Sequence, residues 1–219
     1  MQLIEEKRLI KTMLSRRPRA DSFVLALFTV LLVSVVTLYD WHVGGEFAAS
    51  KTLVFSQGQF WRLLSAVFVH ADLAHLLSNM YMLFIFSLFV YGYFGFAAFP
   101  VLSVAAAALV NMLAVLTYPP DVELLGASGL VYVLGGFWLA LYFFIQRQYS
   151  LPSRLLRVSG IALMVFFPTS FVASTSYRTH AIGFAAGVAL GVIYFFRKRK
   201  QIRAHEVYKT TLIEDIVYE

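Results

Sequence analysis

An all-α, polytopic membrane protein is the fold class this sequence predicts, and two observations carry it. Apolar residues make up 60% of the 219 and charged residues only 14%, far from the proportions of a soluble globular domain. The apolar residues also gather into six runs: Phe23 to Tyr39, Leu73 to Phe94, Ala97 to Tyr118, Gly126 to Ile145, Leu155 to Phe171 and Thr179 to Phe196. At about 1.5 Å per residue, each approaches the roughly 30 Å of a hydrocarbon core. None alternates polar with apolar residues as a β-barrel strand would. A six-helix bundle is expected.

The runs divide the chain into a short basic segment (1–21), a membrane domain (22–196) and a tail (197–219). In the first segment the spacing of Leu3, Ile4, Leu9, Ile10, Met13 and Leu14 predicts at most a short interfacial helix. The first run has no small-residue cleavage site close behind it, so it reads as a signal-anchor span. Lysine and arginine set the orientation, because short cytoplasmic loops retain positive charge. The cationic residues from Lys7 to Arg19, the trio Arg147, Arg154 and Arg157, and those from Arg197 to Lys209 fall on one side; only Lys51, Arg62 and Arg178 fall on the other. Both termini are therefore expected in the cytoplasm.

Topology and anionic lipid account for the net charge of +6, which leaves nucleic-acid binding little to explain. The absence of cysteine excludes disulfides, thiolate metal sites and cysteine nucleophiles. No internal repeat is evident, which argues against an inverted-repeat transporter.

Polar groups inside the spans point to function, because burying them in a membrane is costly. Span two begins VHADLAHLLSNMYML and sets His75 and Asn79 four residues apart, on one helix face. Span four begins GASGLVYVLGG, with Ser128 five residues after Glu123. Span six begins RTHAIGFAAGVALG, with His180 two residues after Arg178. All three spans run from outside to inside, so His75, Ser128 and His180 share a layer near the outer surface, and Asn79 lies a turn deeper. A hydroxyl, two imidazoles and a carboxamide match acyl-transfer chemistry: nucleophile, base and neutral oxyanion donors.

Lateral contact between these groups depends on helix packing. Gly183, Gly187 and Gly191 form GxxxGxxxG on span six, and Gly129 and Gly136 thin span four. Two such faces allow close backbone approach. If these spans pair, Ser128 and His180 meet at their outer ends, and Tyr132, one turn below Ser128, stacks on the imidazole.

These pieces resemble the rhomboid intramembrane serine proteases. The resemblance covers Trp61 to Gly191 and rests on Trp61-Arg62, H-x4-H-x3-N at His70, His75 and Asn79, GxSG with a tyrosine four residues on at Ser128 and Tyr132, and HxxGxxxG from His180. It implies a six-span bundle with a Ser128–His180 dyad lacking an acidic third member, with Ser128 as nucleophile and His180 as general base and then acid. His75, Asn79 and the Ser128 backbone N–H would hold the oxyanion, with Tyr132, Gly126, Gly129 and Gly183 in support. By the same resemblance the Trp61-Arg62 loop is structural, His70 supports it, and span five with the loop from Phe171 to Arg178 acts as gate and lid, bending near Pro168. No metal or cofactor is implied. The partners would be transmembrane protein substrates and the lipid bilayer.

Two departures stand out. VYGYFG, from Val90 to Gly95, lacks the glutamate that rhomboids commonly carry on the inner part of span two, and Thr179 replaces the alanine often found before the histidine. Taken alone, Ser128 would be a small residue capping a helix start, and Tyr132 ordinary packing. Asn111 is expected to make a helix–helix hydrogen bond, the aromatics from Tyr91 to Phe99 to form an interfacial belt, and His42 and His205 to be solvated. The alternative functions are a catalytically silent rhomboid-like protein that binds transmembrane clients and, third, a transporter. A prokaryotic plasma membrane, with the site facing outward, is the expected location.

Overall fold

The computed structural model describes residues 2–166 and 176–215. Helices dominate: α1 (Ser22–Val43), a short α2 (Arg62–Ser65), α3 (Leu73–Phe94), α4 (Ser103–Thr117), α5 (Ser128–Ile145), α6 (Leu151–Phe166) and α7 (Tyr177–Arg203). Among the described residues five helical segments are long and apolar enough to cross a membrane: Ser22–Val43, Leu73–Phe94, Ala97–Thr117, Ser128–Ile145 and Tyr177–Arg203. The span expected from Leu155 to Phe171 is described as α6 through Phe166, beginning four residues earlier, at Leu151. Its remainder, Pro168 included, and most of the Phe171 to Arg178 loop lie outside the described residues.

Helix ends follow local chemistry. Gly44, at φ 94°, takes the left-handed turn that closes α1, with its N–H on the Asp40 carbonyl. Asp72 caps α3 by accepting the His75 N–H at 2.8 Å. The third run is interrupted, with Phe99 leaving helical geometry (φ −138°, ψ 130°) and the regular α-helix starting only at Ser103. Pro100 explains the break, since it lacks an N–H and disfavours helix at the residue before it.

The expected pairing of spans four and six is present. A Cβ on Gly183 would lie 2.9 Å from the Gly129 carbonyl, one on Gly191 would lie 2.8 Å from the Phe137 carbonyl, and Gly187 faces the Val133 carbonyl. Backbone therefore meets backbone along most of this seam. α5 is the centre of the bundle, and Leu130, Val133, Leu134, Phe137 and Leu141 are all fully or nearly fully buried.

The expectation for the first segment is corrected. Residues Gln2–Lys11 form strand β1, which pairs antiparallel with β2 (Val207–Asp215) in register Glu5 to Leu212 and Leu9 to Tyr208. An apolar spacing over so few residues fits either period, and the partner strand lies some 200 residues away in the chain. Among the described residues the fold is thus helical with one two-stranded sheet, which joins 2–11 to 207–215.

The C-terminal end of α3, which lacks the glutamate named above, is tied down by other groups. Tyr91 donates to Asp21 Oδ2 at 2.7 Å, Arg19 donates to the same carboxylate, and the Arg19 N–H reaches the Gly92 carbonyl at 3.0 Å. The hydrogen bonds from Arg19 and Tyr91 hold the Asp21 carboxyl well below the usual carboxylate range. The aromatic run here is partly core rather than belt: Tyr91, Phe94 and Phe99 are buried.

Candidate active site

Ser128 is the first residue of α5, where the leading N–H groups have no intrahelical partner and the helix dipole is positive. The turn before it is pinned on three sides. Gly126 donates its N–H to the Ala66 carbonyl at 2.9 Å, the Leu124 and Ala49 backbones bond reciprocally, and the Ala127 N–H donates to His70 Nε2 at 3.1 Å. Gly126 adopts φ 124°, which a side chain would strain, and a Cβ there would fall 2.9 Å from His75 Cε1. The glycine therefore both permits the turn and lets the imidazole of His75 approach it.

His70 contributes more than the sequence suggests. It is fully buried, between α1 and the Ser128 turn. Because Nε2 accepts from Ala127, the neutral ring carries its proton on Nδ1 and donates it to Thr37 Oγ1 at 3.2 Å, and Thr37 in turn donates to the Phe68 carbonyl at 3.1 Å. Trp41 Nε1 donates to the His70 carbonyl at 2.6 Å. Burial pushes the His70 pKa down to about 3 from its ordinary 6.5, with the nearby His75 adding to the shift. The ring is thus held neutral. Its double bridge depends on a fold-level meeting of Thr37 and Ala127 that no local pattern announces.

On the other flank, the ring of Tyr132 stacks on His180 at 4.0 Å between centroids and 15° between planes. Phe166 of α6 backs the same tyrosine at 4.5 Å. Thr179, standing where rhomboids often carry alanine, is buried, and a Cβ on Gly129 would lie 3.3 Å from its Cγ2. Ser176 caps α7 by accepting the Thr179 N–H and bonds the Tyr118 hydroxyl at 2.7 Å. His180 is only 9% exposed and Asn79 7%, while Ser128 and His75 are half-buried. Asn79 spends one amide hydrogen on the His75 carbonyl at 3.0 Å, which leaves the other for a ligand.

The structure therefore gathers His75, Gly126, Ser128, Tyr132 and His180 at one end of the bundle. Among the described residues, no hydrogen bond joins Ser128 Oγ to His180. Such bonds are commonly long in unliganded enzymes and tighten with substrate.

The braces around the site are also specific. Arg62 is buried and donates to the carbonyls of Glu46 and Ala48, to the latter at 3.0 Å, while lying over the Trp61 ring. Asn111 makes the expected helix–helix hydrogen bond, donating to the Leu63 carbonyl of the short α2 at 3.0 Å. Phe166 escaped the sequence reading because phenylalanine abounds in this chain, with 21 copies.

Comparison with known proteins places this architecture. The rhomboid domain family model matches residues 57–197, and the chain belongs to the rhomboid family. It is 25% identical over 182 residues to a protein of Bacillus subtilis (strain 168) named "Putative rhomboid protease YdcA", covering 82% of this chain and 90% of that one. It is 29% identical over 153 residues to "Rhomboid-like protease 3" of Toxoplasma gondii, covering 67% of this chain and 56% of that one. With its apolar helices, the chain is an integral membrane protein whose relatives are named as proteases.

Proposed function

We propose that this protein is an intramembrane serine endopeptidase that hydrolyses peptide bonds in or near the transmembrane segments of other membrane proteins. The observation that carries the reading is the His180 ring stacked on Tyr132, one turn below a serine that opens α5. Ser128 Oγ attacks the scissile carbonyl while His180 takes its proton and then returns it to the leaving amine. The stack on Tyr132 orients the imidazole in place of an acidic residue. The developing oxyanion is met by the Ser128 N–H, the positive end of α5, His75 and the free amide hydrogen of Asn79.

In this reading six spans cross a prokaryotic plasma membrane with both termini cytoplasmic. The site faces outward, and α6 is the side through which lipid-borne substrate enters. A catalytically silent, client-binding protein is the second reading. Cleavage of a panel of transmembrane substrates by the lipid-reconstituted protein separates the two. Proteolysis that disappears in Ser128→Ala supports the enzyme; tight binding without cleavage by folded wild type supports the binder.

A further inference from the structure

At the opposite end of α7 from His180, a cavity of about 370 Å³ opens between the turn after β1 and the chain that follows α7. Lys11, Thr12, Ser15, Arg16 and His205 line it. No carboxylate is among the lining residues, and among the described residues neither Lys11 nor Arg16 has an ion-pair partner. The acid adjacent in sequence, Glu206, is engaged with Arg147 at 2.7 Å and with the Tyr208 hydroxyl. His205 is half-buried here and still reached by solvent, with Arg16 Nη1 2.9 Å from its Nε2.

The hydroxyls add donors. Ser15 Oγ accepts the Thr12 N–H at 3.1 Å, so its own hydrogen is available to a ligand. Thr12 is buried and donates to Gln146, the residue that ends α5. The β1–β2 pairing sets Lys11 opposite Val207 and so fixes both walls. Two uncompensated cations in one concavity repel each other unless an anion occupies it. The space is many times the roughly 30 Å³ share of a water molecule, and it sits where α5 and α7 end.

We propose that this cavity binds a phosphate-bearing anion through Lys11, Arg16 and the Ser15 hydroxyl. Cation-rich, donor-rich linings favour phosphate oxygens through charge-assisted hydrogen bonds. A bound phosphate ties the N-terminal segment to the ends of the two helices that form the glycine seam. The phosphate of a lipid headgroup and free inorganic phosphate share this chemistry.

The test uses the full chain in a neutral detergent, with binding of short-chain phosphatidylglycerol, the matching phosphate-free diacylglycerol and inorganic phosphate measured by native mass spectrometry and thermal unfolding. The expected result is that a phosphate-bearing ligand binds and raises the unfolding temperature while diacylglycerol does neither. Lys11→Gln/Arg16→Gln should weaken that binding about 25-fold, at roughly a factor of five per cation near a membrane surface. Lys198→Gln/Arg199→Gln, which removes the same charge from exposed positions on α7, should weaken it less than about two-fold. Saturation by phosphatidylglycerol alone assigns a lipid headgroup, and comparable saturation by phosphate assigns the free ion. The proposal is overturned if no phosphate-bearing ligand binds better than diacylglycerol, or if both charge variants weaken binding equally. Should the Lys11/Arg16 variant not fold, photo-crosslinking of wild type with a headgroup-labelled phosphatidylglycerol decides: adducts at 11–16 and 204–207 support the site, and adducts spread over the basic surface overturn it.

Discussion

The two flanks of α5 are built to different standards. Against α7 it packs backbone to backbone, with Gly183, Gly187 and Gly191 leaving no room for a methyl group. Towards α6 the link is made by side chains: at one end Phe166 lies against Tyr132, Phe86 and Phe184, and at the other Arg154 donates to the Phe143 carbonyl of α5 at 3.0 Å. α6 keeps Leu155, Leu156, Leu163 and Met164 exposed, and a Cβ on Gly160 would meet nothing within 4 Å. Tight packing tolerates little displacement, whereas a helix end held by a few rings opens at small cost. In the proposed mechanism the chemistry sits on the tight flank, and the loose flank admits a substrate helix.

Consequences on the tight side are expected to be the largest. Under the proposed mechanism, His75→Ala and Asn79→Ala each lower kcat by about 10²- to 10³-fold, the range for loss of one oxyanion donor; assays on a reconstituted transmembrane substrate check this. Turnover left intact in both would remove the oxyanion role while sparing the dyad.

Gly187→Ala drives a methyl group onto the Val133 backbone and should destabilise by about 1–3 kcal/mol, as overpacking does. Gly160→Ala on the loose flank should be neutral or stabilising by up to about 1 kcal/mol, since alanine is the better helix former. Unfolding in mixed micelles measures the pair. Equal effects would erase the contrast between the flanks.

Phe166→Ala removes the rings' hold on α6. If α6 is the entry side, cleavage should quicken about 2- to 12-fold, the equivalent of one aromatic contact of about 0.5–1.5 kcal/mol. A fall in rate would mean that Phe166 chiefly props Tyr132 against His180.

An effect confined to acid pH follows from His70. Its folded pKa, about 3, lies below the ordinary 6.5, so the unfolded chain binds the extra proton between those values. Stability contributed by the neutral ring is full above pH 6.5 and is lost as pH falls towards 3. His70→Gln should flatten the unfolding temperature against pH over that window, and an unchanged slope would assign the acid sensitivity to other groups.

Much of this was open to sequence reading for a physical reason: the signals are local. GxxxGxxxG on one helix and glycines on another announce a close seam, and spacing alone puts Tyr132 one turn from Ser128. What escapes is long-range or depends on the company a residue keeps. β1 finds its partner only at the far end of the chain, and His70 links Thr37 to Ala127. Phe99 breaks a run that apolarity alone makes continuous, although Pro100 is the visible cause. His205 is a cavity wall only because two distant segments close around it.

The central claim is that Ser128 is a nucleophile activated by His180. Treatment of the reconstituted protein with a fluorophosphonate probe, followed by mass spectrometry of the adduct, tests it most directly. The account predicts one adduct, on Ser128, that is lost in folded Ser128→Ala and falls by at least roughly 10³-fold in rate in folded His180→Ala. A folded wild type that stays unlabelled, or labels equally well without His180, would contradict it.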